Sequence, residues 1–425
     1  MVLEDPTRTP VPIEAVPVST LPSRELGSLE AAAIGLDLLD EVVLGTVRDM
    51  HRAIATRVHG IVTPATGGLG RPVEVAHHGL AHGLYAGFGY GLRGGSALFR
   101  VGDRRGLGTG IESTPTGRWA NAFVHGVLGD RLAEQLPDRA IRMAVRHRGA
   151  DLPLQTDALR AAYPQPSADL VVFLHGLTED ESWWQHQAER HGGSYGDRLT
   201  RDLGFSALYL RANTGLAISE NGVALASLLD RLVAAWPVPV RRIVLVGHSM
   251  GGLISRAACA VRLDSARPWQ DLVSDLVAVA TPHLGSHVAA GAHGLSRGLK
   301  LFAESAPLAG ILDQRSAGIE DLQRPRPADV ENLPHVRYRL VAGSLAKSER
   351  HPVSTTLGDL LVKPRSAFGR TARGQELFPG ADRLFVPGAD HFALLNHADV
   401  YAAMRRWLAE PVPAHTHHTS TGSSR

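Results

Sequence analysis

The chain has one cysteine, three lysines and few aromatic residues (5% of 425). A lone Cys259 rules out an intramolecular disulfide and a thiolate metal cluster. It lies in "SRAACAVR", on an expected buried helix, and reads as a small apolar filler rather than a nucleophile. Lysine is confined to Lys300, Lys347 and Lys363, so arginine carries nearly all the positive charge, which reads as coding bias rather than chemistry. The formal net charge is only +2, and no basic stripe with interleaved aromatics occurs, so nucleic acid is not an expected partner. No run of 18 apolar residues appears, so no transmembrane span is expected. "MVLEDPTRTPVPIEAVPVSTLPS" has no apolar core of the kind a secretory signal needs, and a cytoplasmic location follows as an expectation. The polar end "PVPAHTHHTSTGSSR" reads as a disordered tail whose His415, His417 and His418 are solvated rather than metal-binding. No metal and no organic cofactor are expected.

What is present divides into a helical part and an alternating part. Residues 1–24 read as disordered and 25–150 as a helical region. From 24 to 60 apolar residues recur close to a 3.6-residue period, at Leu29, Ile34, Leu38, Val42, Val43, Val47, Met50 and Ile54, and Gly60 ends the run. A second helix is expected over about 73–99. It carries Gly79, Gly83, Gly87, Gly91 and Gly95 at every fourth position, a bare stripe that lets another helix approach closely or rests on a membrane surface. Residues 119–147 read as a third helical stretch, and a connector lies between 150 and 168.

From 168 the pattern changes. "DLVVFLHG", "FSALYLRA", "RRIVLVGHS", "DLVAVATPH", "VRYRLVAG" and "DRLFVPGAD" are short apolar runs without alternation, separated by helical stretches. Such runs belong to a mostly parallel sheet covered by helices on both faces, so residues 168–410 are expected to form an α/β domain. Residues 411–425 form the tail.

"VLVGHSMGGL" sets Ser249 in a G-x-S-x-G run, between a buried strand and a helix. That context fits a nucleophile elbow, with Gly247 and Gly251 keeping side chains out of the tight turn. The Met250 N–H faces the same point, and the Leu177 N–H, after "VVFLHG", is placed by sequence to be a second oxyanion donor. His175 sits on the wrong loop for a base and reads as structural. His391, in the loop after the last strand, is the candidate base, and His397 reads as a helix cap or packing residue. The acid is expected between serine and base, and "LGDLLVKPRSA" offers Asp359. Asp390 is adjacent to His391, where neighbouring side chains point apart, and Asp382 begins the last strand at the wrong end of the sheet. The order Ser249, Asp359, His391 suits this topology.

"LHGL", "GHSMGG", "VATPHLGS", "GDLLVKPRSA" and "DHFALL" together resemble the α/β-hydrolase superfamily, in its bacterial lipase and esterase branch, over roughly residues 168–410. The resemblance implies Ser249 as nucleophile, Asp359 as orienting acid, His391 as base, and Leu177 and Met250 as backbone oxyanion donors.

Trp183 and Trp184 follow the oxyanion loop and either wall an apolar acyl pocket or pack on the core. Residues 284–333 form a long insertion of amphipathic helices, a cap suited to acyl chains. Asn213, Ser219 and Asn221 read as loop and capping residues. The expected function is cleavage of carboxylic esters, lipid or acyl, through an acyl-enzyme, with contact to a lipid surface an open possibility. Acyl transfer on the same triad, and a non-catalytic interaction or membrane-surface protein, are the alternatives. Because every proposed catalytic group follows residue 168, removal of residues 1–150 is expected to damage solubility or membrane partition more than the ester chemistry.

Overall fold

The computed structural model describes residues 27–38, 71–107, 110–265, 267–285, 316–323, 330–371 and 373–411. The expected disordered start, most of the 24–60 helix beyond residue 38, most of the 284–333 cap and the histidines of the tail lie outside the described residues.

The strands are β1 (Ala144–His147), β2 (Ala150–Asp151), β3 (Asp169–Leu174), β4 (Ser206–Arg211), β5 (Arg242–His248), β6 (Val273–Val279), β7 (Arg337–Ser344) and β8 (Asp382–Pro387). They form one sheet in the order β2-β1-β4-β3-β5-β6-β7-β8. From β4 to β8 every neighbour is parallel, while β1 runs antiparallel to β4 and to β2. Continuous apolar runs are the signature of strands buried on both sides. Leu170, Val172, Leu208, Ile243, Leu245 and Leu276 point into one core, and Val171, Phe173, Val244, Val246, Val277 and Val341 into the other.

The helices are α1 (Ser28–Leu38), α2 (Arg71–Arg104), α3 (Pro115–Gln135), α4 (Thr156–Ala162), α5 (Tyr195–Leu203), α6 (Ile218–Ala235), α7 (Met250–Ala260), α8 (Ala317–Gln323), α9 (Pro352–Thr356), α10 (Pro364–Ala367) and α11 (Ala398–Ala409). Leu225, Leu229 and Leu232 of α6 and Ile254 and Cys259 of α7 fill the first core. Tyr195 and Leu199 of α5 and Val400, Met404 and Trp407 of α11 fill the second. Burial pushes the Cys259 thiol up to about 12, as befits a filler. None of the described helices is long and apolar enough to cross a membrane.

One feature of the first 150 residues differs from expectation. The third helical stretch begins at Pro115 and stops at Gln135, and Ala144–His147 is strand instead. The cause is a two-residue turn: Arg148 (φ 51°) and Gly149 (φ 79°) both take left-handed angles and fold β2 back on β1. The region also packs directly on the α/β part. Gly126 of α3 lies so close to Thr178 that a Cβ would sit 2.5 Å from its methyl, and Asn213 donates to the Gly129 carbonyl at 3.0 Å. Arg211 of β4, itself buried, pairs with Glu112 and with Asp151. These contacts tie the first 150 residues to the α/β part. The glycine stripe is used in part. At Gly95 and Gly102 a Cβ would meet Leu36 and Leu29 of α1 at 2.9 and 2.8 Å, while Gly87 and Gly91 face nothing among the described residues.

At the edge where the parallel strands begin, Asp275 is fully buried. Its Oδ2 accepts from Arg242 and Arg337 at 2.8 Å each and from Ser274 at 2.7 Å, and its Oδ1 from Arg339 at 3.3 Å. Burial alone would raise its pKa, but the arginines and Ser274 outweigh it and hold the carboxyl below its ordinary range.

Two outcomes follow. Deleting residues 1–150 strips β1 from the edge of β4 and takes Glu112 from the buried Arg211, so the fragment should lack a cooperative thermal transition; a folded monomer with full activity would contradict the packing described. Asp275→Asn should cost about 3–5 kcal/mol, as removal of one partner from a buried ion pair does, measured by denaturant unfolding. A carboxyl with a depressed folded pKa stabilises above its unfolded value, about 3.9, and loses that contribution as the pH falls through the folded pKa. The acid-induced drop in Tm below about pH 4 should therefore be shallower in the variant.

Candidate active site

β5 is buried along its whole length and runs straight into Ser249, which caps α7. Ser249 has φ 50° and ψ −121°, a strained conformation for a residue with a side chain. Its N–H donates to the Val279 carbonyl at 2.8 Å, which ties the turn to β6. Two close approaches hold the strain in place. A Cβ on Gly251 would lie 2.3 Å from the Leu174 carbonyl oxygen, and one on Gly176 would lie 2.9 Å from the Ser249 Cβ. The end of β3 is thus pressed onto the elbow, at the C-terminal edge of the sheet where open α/β folds bind ligands.

Asp359 and His391 meet at the same edge. Asp359 follows β7 and is 1% exposed; His391 follows β8 and is 2% exposed. His391 Nδ1 lies 2.9 Å from Asp359 Oδ2, and the His391 N–H donates to the Asp359 carbonyl at 3.0 Å. The Asp359 Oδ1 accepts the N–H groups of Leu361 and Val362 at 3.0 and 2.7 Å, which fixes the carboxylate in its loop. A carboxylate only accepts, so His391 Nδ1 carries the proton and Nε2 is left as the basic nitrogen. Asp390 turns away: its Oδ1 accepts from the backbone of Phe392 and Ala393 at 3.0 and 2.8 Å. Asp382 sits at the start of β8, paired with Arg339.

Leu177 follows Gly176 in the loop beside Ser249, and Met250 opens α7. Among the described residues neither N–H has a hydrogen-bond partner, the state an anion-binding pair of donors requires.

The remaining residues singled out in the sequence sort themselves. The His175 Nε2 accepts the Ala212 N–H at 3.1 Å and its Nδ1 contacts the Gly176 carbonyl at 2.9 Å, so it braces the loop rather than acting as a base. His397 caps α11 by accepting the Asp399 N–H. Asn213 accepts from Gly215 N–H, and Asn221 donates to the Asn213 carbonyl at 2.9 Å. Ser219 lies in the first turn of α6. Trp184 is no pocket wall: it is 1% exposed and packs against Phe173, with ring centres 4.9 Å apart. Trp183 is half-buried and meets Phe392 at 4.8 Å. A cavity of about 860 Å³ opens elsewhere, along the β1–β4 side, lined by Arg146, Tyr163, Glu181 and Tyr209 but by neither Ser249 nor His391.

Sequence reasoning missed Glu179 and His248. They are 4% and 0% exposed and in contact, with His248 Nδ1 2.9 Å from Glu179 Oε1. The only local hint is a glutamate three residues past Gly176 in "HGLTED".

Residues 165–308 match the family described as "Putative serine esterase (DUF676)". No curated protein matches. Among solved structures the chain is similar to the lipase BlEst2 of Bacillus licheniformis in its propeptide form, at 21% identity and TM-score 0.44 over 58% of this chain and 52% of that one. It therefore spans about half the length of that structure. It is also similar to EstA of Clostridium botulinum, at 13% identity and TM-score 0.38 over 58% and 88% of the two chains. The esterase RhEst1 of Rhodococcus sp. matches at 15% identity and TM-score 0.35, over 58% and 92%. Strand order and the strained serine turn give the chain a mostly parallel α/β fold, and residues 165–308 of it are similar to that serine esterase family.

Proposed function

We propose that the protein hydrolyses carboxylic esters through an acyl-enzyme formed on Ser249. The observation that carries this reading is the buried Asp359–His391 pair at 2.9 Å, supplied by two separate loops at the strand edge that bears the Ser249 elbow. Asp359 holds the Nδ1 proton and orients the ring. His391 Nε2 takes the Ser249 proton as Oγ attacks the ester carbonyl, then returns it to the leaving alcohol. The N–H groups of Leu177 and Met250 receive the negative charge that develops on the carbonyl oxygen. Water, activated by the same imidazole, releases the acid and restores Ser249.

The acyl side of the substrate is apolar. Trp183 and Phe392 stack beside His391, with Phe392 edge-on to the His391 ring at 5.5 Å. Leu345, Leu357 and Leu360 of the acid loop are exposed, an apolar rim suited to a hydrocarbon chain rather than to a sugar or a phosphate. Lipid or other fatty-acyl esters fit this surface.

Ser249→Ala should keep the fold and lower kcat on p-nitrophenyl esters on the order of 10⁶-fold. Asp359→Asn should cost about 10⁴, because the amide favours the wrong imidazole tautomer, while Asp390→Asn should cost far less. Across p-nitrophenyl esters of increasing length, kcat/KM should rise from acetate towards longer chains. Normal turnover by the Ser249 variant would refute the nucleophile, and a crippled Asp390→Asn beside a healthy Asp359→Asn would move the acid.

A further inference from the structure

His248 occupies the variable place before the serine in G-x-S-x-G, and its ring is wholly buried. Both ring nitrogens face acceptors. Nδ1 lies 2.9 and 3.0 Å from the two oxygens of Glu179, and Nε2 lies 3.3 Å from the His391 carbonyl oxygen. A carboxylate and a carbonyl only accept, so both nitrogens carry protons and the ring is an imidazolium. The Glu179 Oε2 also accepts the Gly176 N–H at 2.8 Å. One carboxylate therefore holds the loop that presents the Leu177 N–H, and its imidazolium partner holds the backbone of the base.

The charged surroundings agree. Burial disfavours the charged form of His248, but Glu179 outweighs it, with help from Asp359, and the pKa is raised. Burial likewise disfavours the charged Glu179, but His248 outweighs it, with a smaller contribution from His175, and its pKa is lowered. The remaining titratable neighbour is His391, whose ring centre is 4.7 Å from that of His248. Fully buried ion pairs gain little stability over well-packed apolar side chains. What this pair does supply is geometry, because its bonds end on the backbones of both catalytic loops.

We propose that Glu179 and His248 are positioning residues, a buried ion pair that locks the Gly176–Leu177 backbone and the His391 backbone onto the strand end bearing Ser249. The inference rests on the triad reading above.

The test uses the full chain with Glu179→Gln, His248→Gln, the double variant and Ser249→Ala, assayed on p-nitrophenyl butyrate with circular dichroism as the measure of folding. Each single variant should lower kcat by roughly 10- to 100-fold, the usual cost of losing an orienting partner, with KM changed less than about threefold. The double variant should be no worse than the poorer single one, because the two residues act as a unit. A loss in kcat with KM nearly unchanged, in variants that keep the wild-type circular dichroism, is a split that a purely structural role does not produce. Folded single variants with near-normal kcat would overturn the inference, as would effects that multiply in the double variant. Loss of folding in all three pair variants would assign the pair to stability and also overturn it. Activity surviving in Ser249→Ala would instead defeat the triad reading.

Discussion

The strained backbone of Ser249 is the constraint on which the rest of the site depends. A serine at φ 50° and ψ −121° costs on the order of 1–3 kcal/mol and persists only where its surroundings over-determine it. Here β6 takes its N–H, the end of β3 presses on it across two glycines, and α7 starts at the next residue. The same pressure that enforces the angle brings the Gly176–Leu177 loop against the nucleophile. The turn and the Gly176–Leu177 loop are thus one packing arrangement rather than two.

The parallel sheet divides the labour between its two edges. At the N-terminal edge, Asp275 of β6 gathers Arg242 from β5 and Arg337 and Arg339 from β7, and ties the register of the three strands. At the C-terminal edge the loops after β3, β5, β7 and β8 converge, bringing Glu179, His248, Asp359 and His391 together although they are distant in the chain. Strands fixed at one end leave the loops at the other free to specialise. α3 adds a third support, because it leans on Thr178 and Asn213 next to the oxyanion loop.

The central sheet was legible because burial on both faces leaves unbroken apolar runs, as in "LVVFL" and "IVLVG". Ser249, His391 and Asp359 could be singled out because a strand–turn–helix context and chain order point to them, and the fold brings Asp359 and His391 into contact. β1 and β2 were not: they are four and two residues long, rich in charge, and depend on an Arg148–Gly149 turn that carries no strong signal. Trp183 and Trp184 are neighbours, yet a single helical turn sends one into the core and leaves the other half-buried, which composition alone does not resolve. Glu179 and His248 were invisible for a simpler reason. The variable place in the elbow accepts many residues, and only the fold brings the glutamate, 69 positions earlier, against it.

The central claim is that Ser249 is an activated nucleophile facing an oxyanion hole. The most direct measurement is reaction of the full-length protein with a fluorophosphonate, followed by peptide mass spectrometry. The account predicts a single phosphonylated site at Ser249, absent in protein unfolded before treatment. An unmodified Ser249 in folded protein, or modification at another serine, would contradict it.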